Sequence, residues 1–211
     1  MVPQQLKDAL FAVNHWVVRP NLWRWRAHFK RANGKQPINI HLGCGTHYIE
    51  GMLNCDGNLL RKVDLWLDLR VPLPFPDASV AVAYTSHALE HLFPEDALKL
   101  LREIRRTLRP DGVARVVVPD VAFAFAIAEG RASSPWPRHF DDPVAQAVNY
   151  LFCDGQHKYA YNAALLADFA KQAGFSNVRN VSVEHGVTPQ RYGELLLGNE
   201  PEGSLVLELR P

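Results

Sequence analysis

The chain has 211 residues, 47% of them apolar and 21% charged, and a mass of 23.8 kDa. That is the length of one domain with a small appendage, and the composition excludes disordered, collagenous and coiled-coil classes. The longest uncharged apolar run, Val121–Ala128, has eight residues, against the ~20 a membrane-spanning helix needs. Net charge is +1 but unevenly spread: residues 1–35 hold seven Lys/Arg and one acid, and the remainder is net acidic. No basic stretch followed by an apolar run and a small-residue cleavage site is seen near the start, so the expected location is the cytoplasm.

In chain order, Leu6, Leu10, Val13 and Trp16 lie at near-helical spacing, and a second basic-aromatic stretch runs from Leu22 to Arg31. Residues 1–35 are therefore expected to form an N-terminal helical appendage, with the main domain over 36–211. Ile38–Leu42 predicts a strand that runs into the glycine turn Gly43-Cys44-Gly45. Met52–Cys55 and Val63–Leu67 are further short strand candidates. Prolines 72, 74 and 76 make 71–77 a loop, because proline cannot donate to a ladder. Ser79–Tyr84 predicts a strand, and Pro94 to Leu108 a helix with acids in its first turn, stopped by Pro110-Asp111-Gly112. Val113–Val118 predicts a strand, Asn162–Ala173 a helix closed by Gly174, and Asn177–Val183 and Ser204–Leu209 the last strands. Ala132–Tyr161 is expected to be loop, with Pro135 to His139 as a lid.

Strands alternating with helices imply an α/β domain with a largely parallel sheet, whose ligands sit beyond the carboxyl ends of the strands. Three features then draw attention. The glycines after the first strand let backbone approach a ligand closely. Asp56 ends the second strand candidate, where a carboxylate can accept both hydroxyls of a ribose. Asp68 follows the third. Position 48 is Tyr48, so the full pyrophosphate fingerprint of the NAD enzymes is missing. The three cysteines, Cys44, Cys55 and Cys153, show no two-residue spacing, so neither disulfides nor a zinc or other metal site is expected.

The segments INIHLGCG, LNCDG, DLRVPLPFPDASVAVAYTSHALEHL and LLREIRRTLRPDGVARVVVPD together resemble a class I S-adenosylmethionine-dependent methyltransferase over roughly residues 38–120. The chain is similar in particular to small bacterial methyltransferases often found with glycosyltransferases, through HKYAYNAALLADFAKQAGF and the closing SLVLELRP. The resemblance implies a Rossmann-like, mostly parallel sheet with an antiparallel strand near the C-terminus, and S-adenosylmethionine as cofactor. It implies that His41 stands where many relatives carry an acid, and that Gly43, Cys44 and Gly45 lie against the methionine portion. Asp56 would bind ribose, and Asp68 and Leu69 would meet the adenine. Ser86 and His87 would line the methyl side, with Glu90 and His91 one turn on. Only Thr46 to Gly51 separate the first two strand candidates, short for a parallel crossover. The first helix is therefore expected to be stunted, with Asp64 a second candidate for the ribose.

Methyl transfer from a sulfonium needs alignment more than covalent help, but a neutral oxygen nucleophile must lose a proton. Histidine is the usual base near neutral pH, and His87, His91 and His157 are the candidates. The expected activity is methylation, at oxygen, of a small-molecule or saccharide acceptor such as a glycolipid, with no nucleic acid partner. The alternative is a non-catalytic methyltransferase-like module. Trp16, Trp23, Trp25 and Phe29 interleave with Arg19, Arg24, Arg26, Lys30 and Arg31, which suits contact with an anionic membrane surface at its inner face, a cap over an anionic substrate, or a helix that packs its tryptophans on the domain.

Overall fold

Residues 13, 22–29, 37–58, 60–135, 140–182, 186, 188, 196 and 199–211 are described by the computed structural model. Residues Ile38–Leu42 form β1, whose alternating side chains serve two different surfaces. Ile40 and Leu42 enter the larger core, while His41 turns to the opposite face. The other strands are β2 (Leu53–Asp56), β3 (Leu65–Trp66), β4 (Val80–Ser86), β5 (Leu108–Pro119), β6 (Asn177–Asn180) and β7 (Ser204–Arg210). They form one sheet in the order β3-β2-β1-β4-β5-β7-β6. Neighbours from β3 to β5 pair in parallel, and β7 runs antiparallel between β5 and β6. Strand order reverses between β1 and β4, which puts a ligand crevice at their carboxyl ends.

One face of the sheet is covered by α2 (Pro94–Thr107) and α5 (Ala163–Gln172), through Leu100, Leu101, Ile104, Leu166 and Ala170. The other carries a smaller cluster in which Tyr84, Val113, Val117 and Val206 meet Ile49, Met52, Val181 and Leu196. Helical residues 22–29 (α1) lie against the larger core, with Phe29 5.0 Å from the Phe75 ring and Trp25 packed nearby. Trp23 stays 76% exposed. The rest of the basic N-terminal segment, apart from residue 13, lies outside the described residues.

Most predicted elements occur within a few residues of their expected ends. One strand and two helices depart from the expectation: β5 starts at Leu108 and not at Val113, so that Pro110-Asp111-Gly112, expected to stop the helix, lies within the strand. Val121–Ala128 is α3, with the Asp120 carboxylate accepting from Ala122 N, and Pro143–Phe152 is α4, capped by Asp142 on Ala145 N. The expectation of loop throughout 132–161 is thus corrected: α4 occupies its middle and packs Tyr150 against Phe123 of α3. Residues 136–139 of the expected lid lie outside the described residues. The β1–β2 connection holds no helix at all. Its backbone is pinned instead by the Asn54 side chain, which accepts from Ile49 N and donates to the Ile49 and Met52 carbonyls. A buried amide here replaces the hydrogen bonds a crossover helix makes for itself.

Candidate active site

The glycine turn closes on the end of β2. Gly43 N and Cys44 N both donate to the Cys55 carbonyl, and Gly45 N donates to Asp56 Oδ2 at 2.8 Å. Asn58 N donates to Asp56 Oδ1 at 2.7 Å. Each carboxylate oxygen thus takes one backbone hydrogen bond and keeps acceptor capacity for another donor. Gly43 has φ +70°, and a Cβ built there would stand 2.5 Å from the Ala88 Cβ. Only glycine lets the post-β1 turn and the post-β4 turn approach so closely. Gly43→Ala is accordingly expected to cost about 2 kcal/mol from left-handed strain and overpacking. Its urea midpoint beside that of Gly45→Ala checks this, because Gly45 has open space around its Cβ position.

The predicted cofactor residues divide by position. Asp56 and Gly45 are partly exposed at the strand ends, and Leu69 lies 3.5 Å from the Gly43 Cβ position. Asp68 is held by Arg70, which donates Nε and Nη2 to its two oxygens, and it also caps Arg70 N. Asp64 has a structural role: Tyr48 Oη donates to it at 2.7 Å, as do Asn54 N and Nδ2. Cys44 is buried, and burial with the nearby Asp56 charge pushes its thiol up to about 12. His41 is sealed from solvent, with Nδ1 3.2 Å from Asn54 Oδ1 and its ring 5.0 Å from that of Tyr84. Through Asn54 it is tied to the β1–β2 connection. Ser86 donates its hydroxyl to the Asn199 carbonyl at 2.7 Å.

All three candidate bases converge on one carboxylate. Glu90, in the 3-10 turn Leu89–His91, is 1% exposed, and among the described residues neither of its carboxylate oxygens accepts a hydrogen bond within the usual geometric limits. His87 Nδ1 stands 3.4 Å from Glu90 Oε1 and His157 Nε2 3.8 Å from the same atom. The His91 and His157 rings meet edge to face at 4.9 Å. Burial drives the Glu90 carboxyl up, but the contact with His87 and the charges of the three imidazoles more than offset this and hold it below its ordinary value. Burial lowers His157, against the raising effect of Glu90. His87 takes a left-handed backbone, φ 51°, immediately after β4, and its Nε2 lies 3.0 Å from Ser204 Oγ.

Sequence reasoning placed Glu90 beside His91 but gave it no task. The missing information is tertiary. The 155–159 segment is brought in by its own backbone, with Lys158 N and Tyr159 N both donating to the Glu90 carbonyl, at 2.7 and 3.2 Å.

Residues 44–116 match the family model described as a methyltransferase domain. No curated protein matches the chain in sequence. Among solved structures, an S-adenosylmethionine-dependent methyltransferase from Archaeoglobus fulgidus is 14% identical, with 92% of this chain and 93% of that one covered and a TM-score of 0.51. One from Mesorhizobium loti is 18% identical, with coverages of 86% and 95% and a TM-score of 0.47. The S-adenosylmethionine-dependent methyltransferase SibL is 17% identical over 71% of this chain, with a TM-score of 0.42, and the chain spans only 35% of its length. The Archaeoglobus likeness speaks to fold, and the family match falls on the segment that carries the strand-end turns. Together with the sheet order they give this chain a fold shared with the Archaeoglobus methyltransferase and a likeness to a methyltransferase domain over residues 44–116.

Proposed function

We propose that the protein methylates an oxygen atom of a small-molecule or saccharide acceptor, with S-adenosylmethionine as the methyl source. The observation that carries this reading is the Gly43–Gly45 turn bonded to Asp56 where strand order reverses, with a histidine cluster one strand away. The residues fit the cofactor: Asp56 retains acceptor capacity for two ribose hydroxyls, and the glycine turn leaves open space at Gly45. Gly43, Cys44 and Gly45 would border the methionine portion, Asp68 and Leu69 the adenine, and Ser86 and His87 the methyl side. The bound cofactor supplies a methyl group on an already activated sulfonium.

Among the three histidines, His87 is the base this reading selects. Glu90 faces its Nδ1, which favours the tautomer with the proton there and the lone pair on Nε2, where the Ser204 hydroxyl, 3.0 Å away, holds the place that an acceptor hydroxyl would take. A carboxylate behind an imidazole both orients it and stabilises the imidazolium it becomes when it takes the acceptor's proton.

Calorimetric titration with S-adenosylhomocysteine is expected to show saturable binding, with NAD giving none. In Asp56→Ala the affinity is expected to fall roughly ten- to a hundredfold, the worth of hydrogen bonds to a charged group. Wild-type protein that binds no S-adenosylhomocysteine would sink the proposal. Binding without methyl transfer to a panel of glycans, lipid precursors and phenols would favour the non-catalytic module instead.

The membrane reading rests on α1, where Trp23, Arg24, Arg26 and His28 are exposed. No helix among the described residues is long and apolar enough to cross a membrane. Trp23→Ala/Arg24→Ala is expected to reduce cosedimentation with phosphatidylserine vesicles, since each basic residue at such a surface is worth about 1 kcal/mol. Equal sedimentation of both proteins refutes it.

A further inference from the structure

The cluster around Glu90 contains an electrostatic conflict that neutral rings leave unresolved. His91 Nδ1 is 3.1 Å from the Gln156 carbonyl and His157 Nδ1 is 2.8 Å from the Leu151 carbonyl. A carbonyl oxygen only accepts, so in both rings Nδ1 must be the donor. The neutral rings therefore carry their lone pairs on Nε2. His157 Nε2 lies 3.8 Å from Glu90 Oε1, and the Glu90 oxygens, in a residue 1% exposed, accept no hydrogen bond of ordinary geometry among the described residues. Lone pairs on two imidazoles and a carboxylate thus lie within 4.8 Å of one another, and a cation bound among them would satisfy all three.

We propose that Glu90, His91 and His157 form a binding site for a divalent transition-metal cation of the zinc type. One ligand atom from each of the three residues lies within 4.8 Å of the other two, so a small closure brings them to the ~2.0–2.2 Å metal–ligand distances of such ions. Two imidazoles and one carboxylate suit zinc, cobalt or iron, whereas calcium and magnesium take oxygen ligands. Histidines that ligate metals commonly donate their other ring N–H to a backbone carbonyl, which fixes the tautomer, and both rings do so here. Glu90 and His157 are buried while His91 is exposed, so the site is walled on one side and open on the other. Three protein ligands and an open position are the pattern of a catalytic rather than a structural site. This departs from the expectation that the chain holds no metal. That expectation considered only cysteine spacing, and this site uses none.

What the ion does there rests on the methyl-transfer reading: at the open position it would bind an acceptor hydroxyl and make it more acidic, next to His87. The binding itself does not depend on that reading.

The test uses full-length protein treated with chelator and then titrated calorimetrically with Zn2+, with Co2+ as a spectroscopic probe. One equivalent of Zn2+ is expected to bind saturably, and Co2+ to give visible d–d bands that Zn2+ abolishes. His91→Ala, at an exposed ring, is expected to weaken Zn2+ at least tenfold with the melting temperature little changed, and His157→Ala to weaken it likewise. His28→Ala, on the exposed face of α1, is expected to leave the affinity unchanged. Absence of one-equivalent binding, or binding that survives in His91→Ala/His157→Ala, overturns the proposal. An S-adenosylhomocysteine titration on the same sample separates the two readings. Cofactor binding without metal overturns the metal site alone; metal without cofactor supports the site and overturns the methyltransferase reading.

Discussion

Arg115→Ala is expected to lower the stability of the fold by about 3–5 kcal/mol, because it leaves buried carboxylates without a counter-charge. Arg115 projects from β5 on the face of the smaller core, beside Val113 and Val117, and is 2% exposed. Its cross-strand neighbour on β7 is Glu208, also 2% exposed, whose Oε1 accepts from Nη1 at 3.1 Å. Glu200 takes Nε and Nη2 at 2.6 and 2.8 Å. Glu208 further accepts from Thr188 N, so the network ties the β7 strand to the 188 segment. Removing the guanidinium removes every positive charge from that set, while β7 still holds Glu208 inside. At roughly 2–4 °C per kcal/mol for a chain of this length, the melting temperature is expected to fall by about 10 °C. Arg115→Met/Glu208→Leu is expected to recover part of the loss, since it removes the more deeply buried of the two carboxylates while Glu200 stays charged. A loss in Arg115→Ala below about 1 kcal/mol, or no recovery in the double variant, would show that the carboxylates reach solvent and that the network contributes little.

The parts of this molecule legible in the sequence are those governed by local rules. β1 is found at its observed residues because a short apolar run is bounded by Pro37 and Gly43, and α2 because Pro94 and two acids open a strongly one-faced helix. α3 and α4 carried readable signals as well. Asp120 and Asp142 are both side-chain caps, the second followed directly by Pro143 at the first helical position. In α3 the apolar residues leave no contrasting face, so periodicity has nothing to detect, and Phe125 remains 64% exposed. The site divides along the same line. Gly43, Gly45 and Asp56 sit at strand ends and could be placed from the strand pattern alone. The convergence of His157 on Glu90 depends on a contact between segments 67 positions apart, held by backbone bonds to a carbonyl, and no local pattern encodes it. Asn54 is a similar case: an ordinary strand residue in sequence, it takes over the role of a crossover helix in three dimensions.

Acidification is expected to destabilise the protein through His41, and the sign follows from where its proton is tolerated. Burial is the largest influence on this ring and lowers its pKa from 6.5 to about 4, against the opposing hydrogen bond to Asn54. Above pH 6.5 the imidazole is neutral in both folded and unfolded chains and contributes no pH dependence. Between 6.5 and 4 the unfolded chain binds a proton that the folded one excludes, so stability falls as pH falls. Below 4 both states are protonated, and the loss is complete at about 3 kcal/mol, since each tenfold weakening of proton binding corresponds to ~1.4 kcal/mol. The effect is large because the ring cannot turn to water: it is 0% exposed and lies against Tyr84. The measurement is the urea midpoint at several pH values from neutral down to the acid side of 6.5 for wild type and His41→Gln. Gln keeps a polar group near Asn54 but cannot take the proton, so carboxylate titrations common to both proteins cancel in the difference. The wild type is expected to lose more stability than His41→Gln over this range, with the two curves parallel at neutral pH and above. Curves parallel throughout would mean that His41 takes its proton inside the fold, and that the turn above it opens to solvent more readily than its sealed position implies.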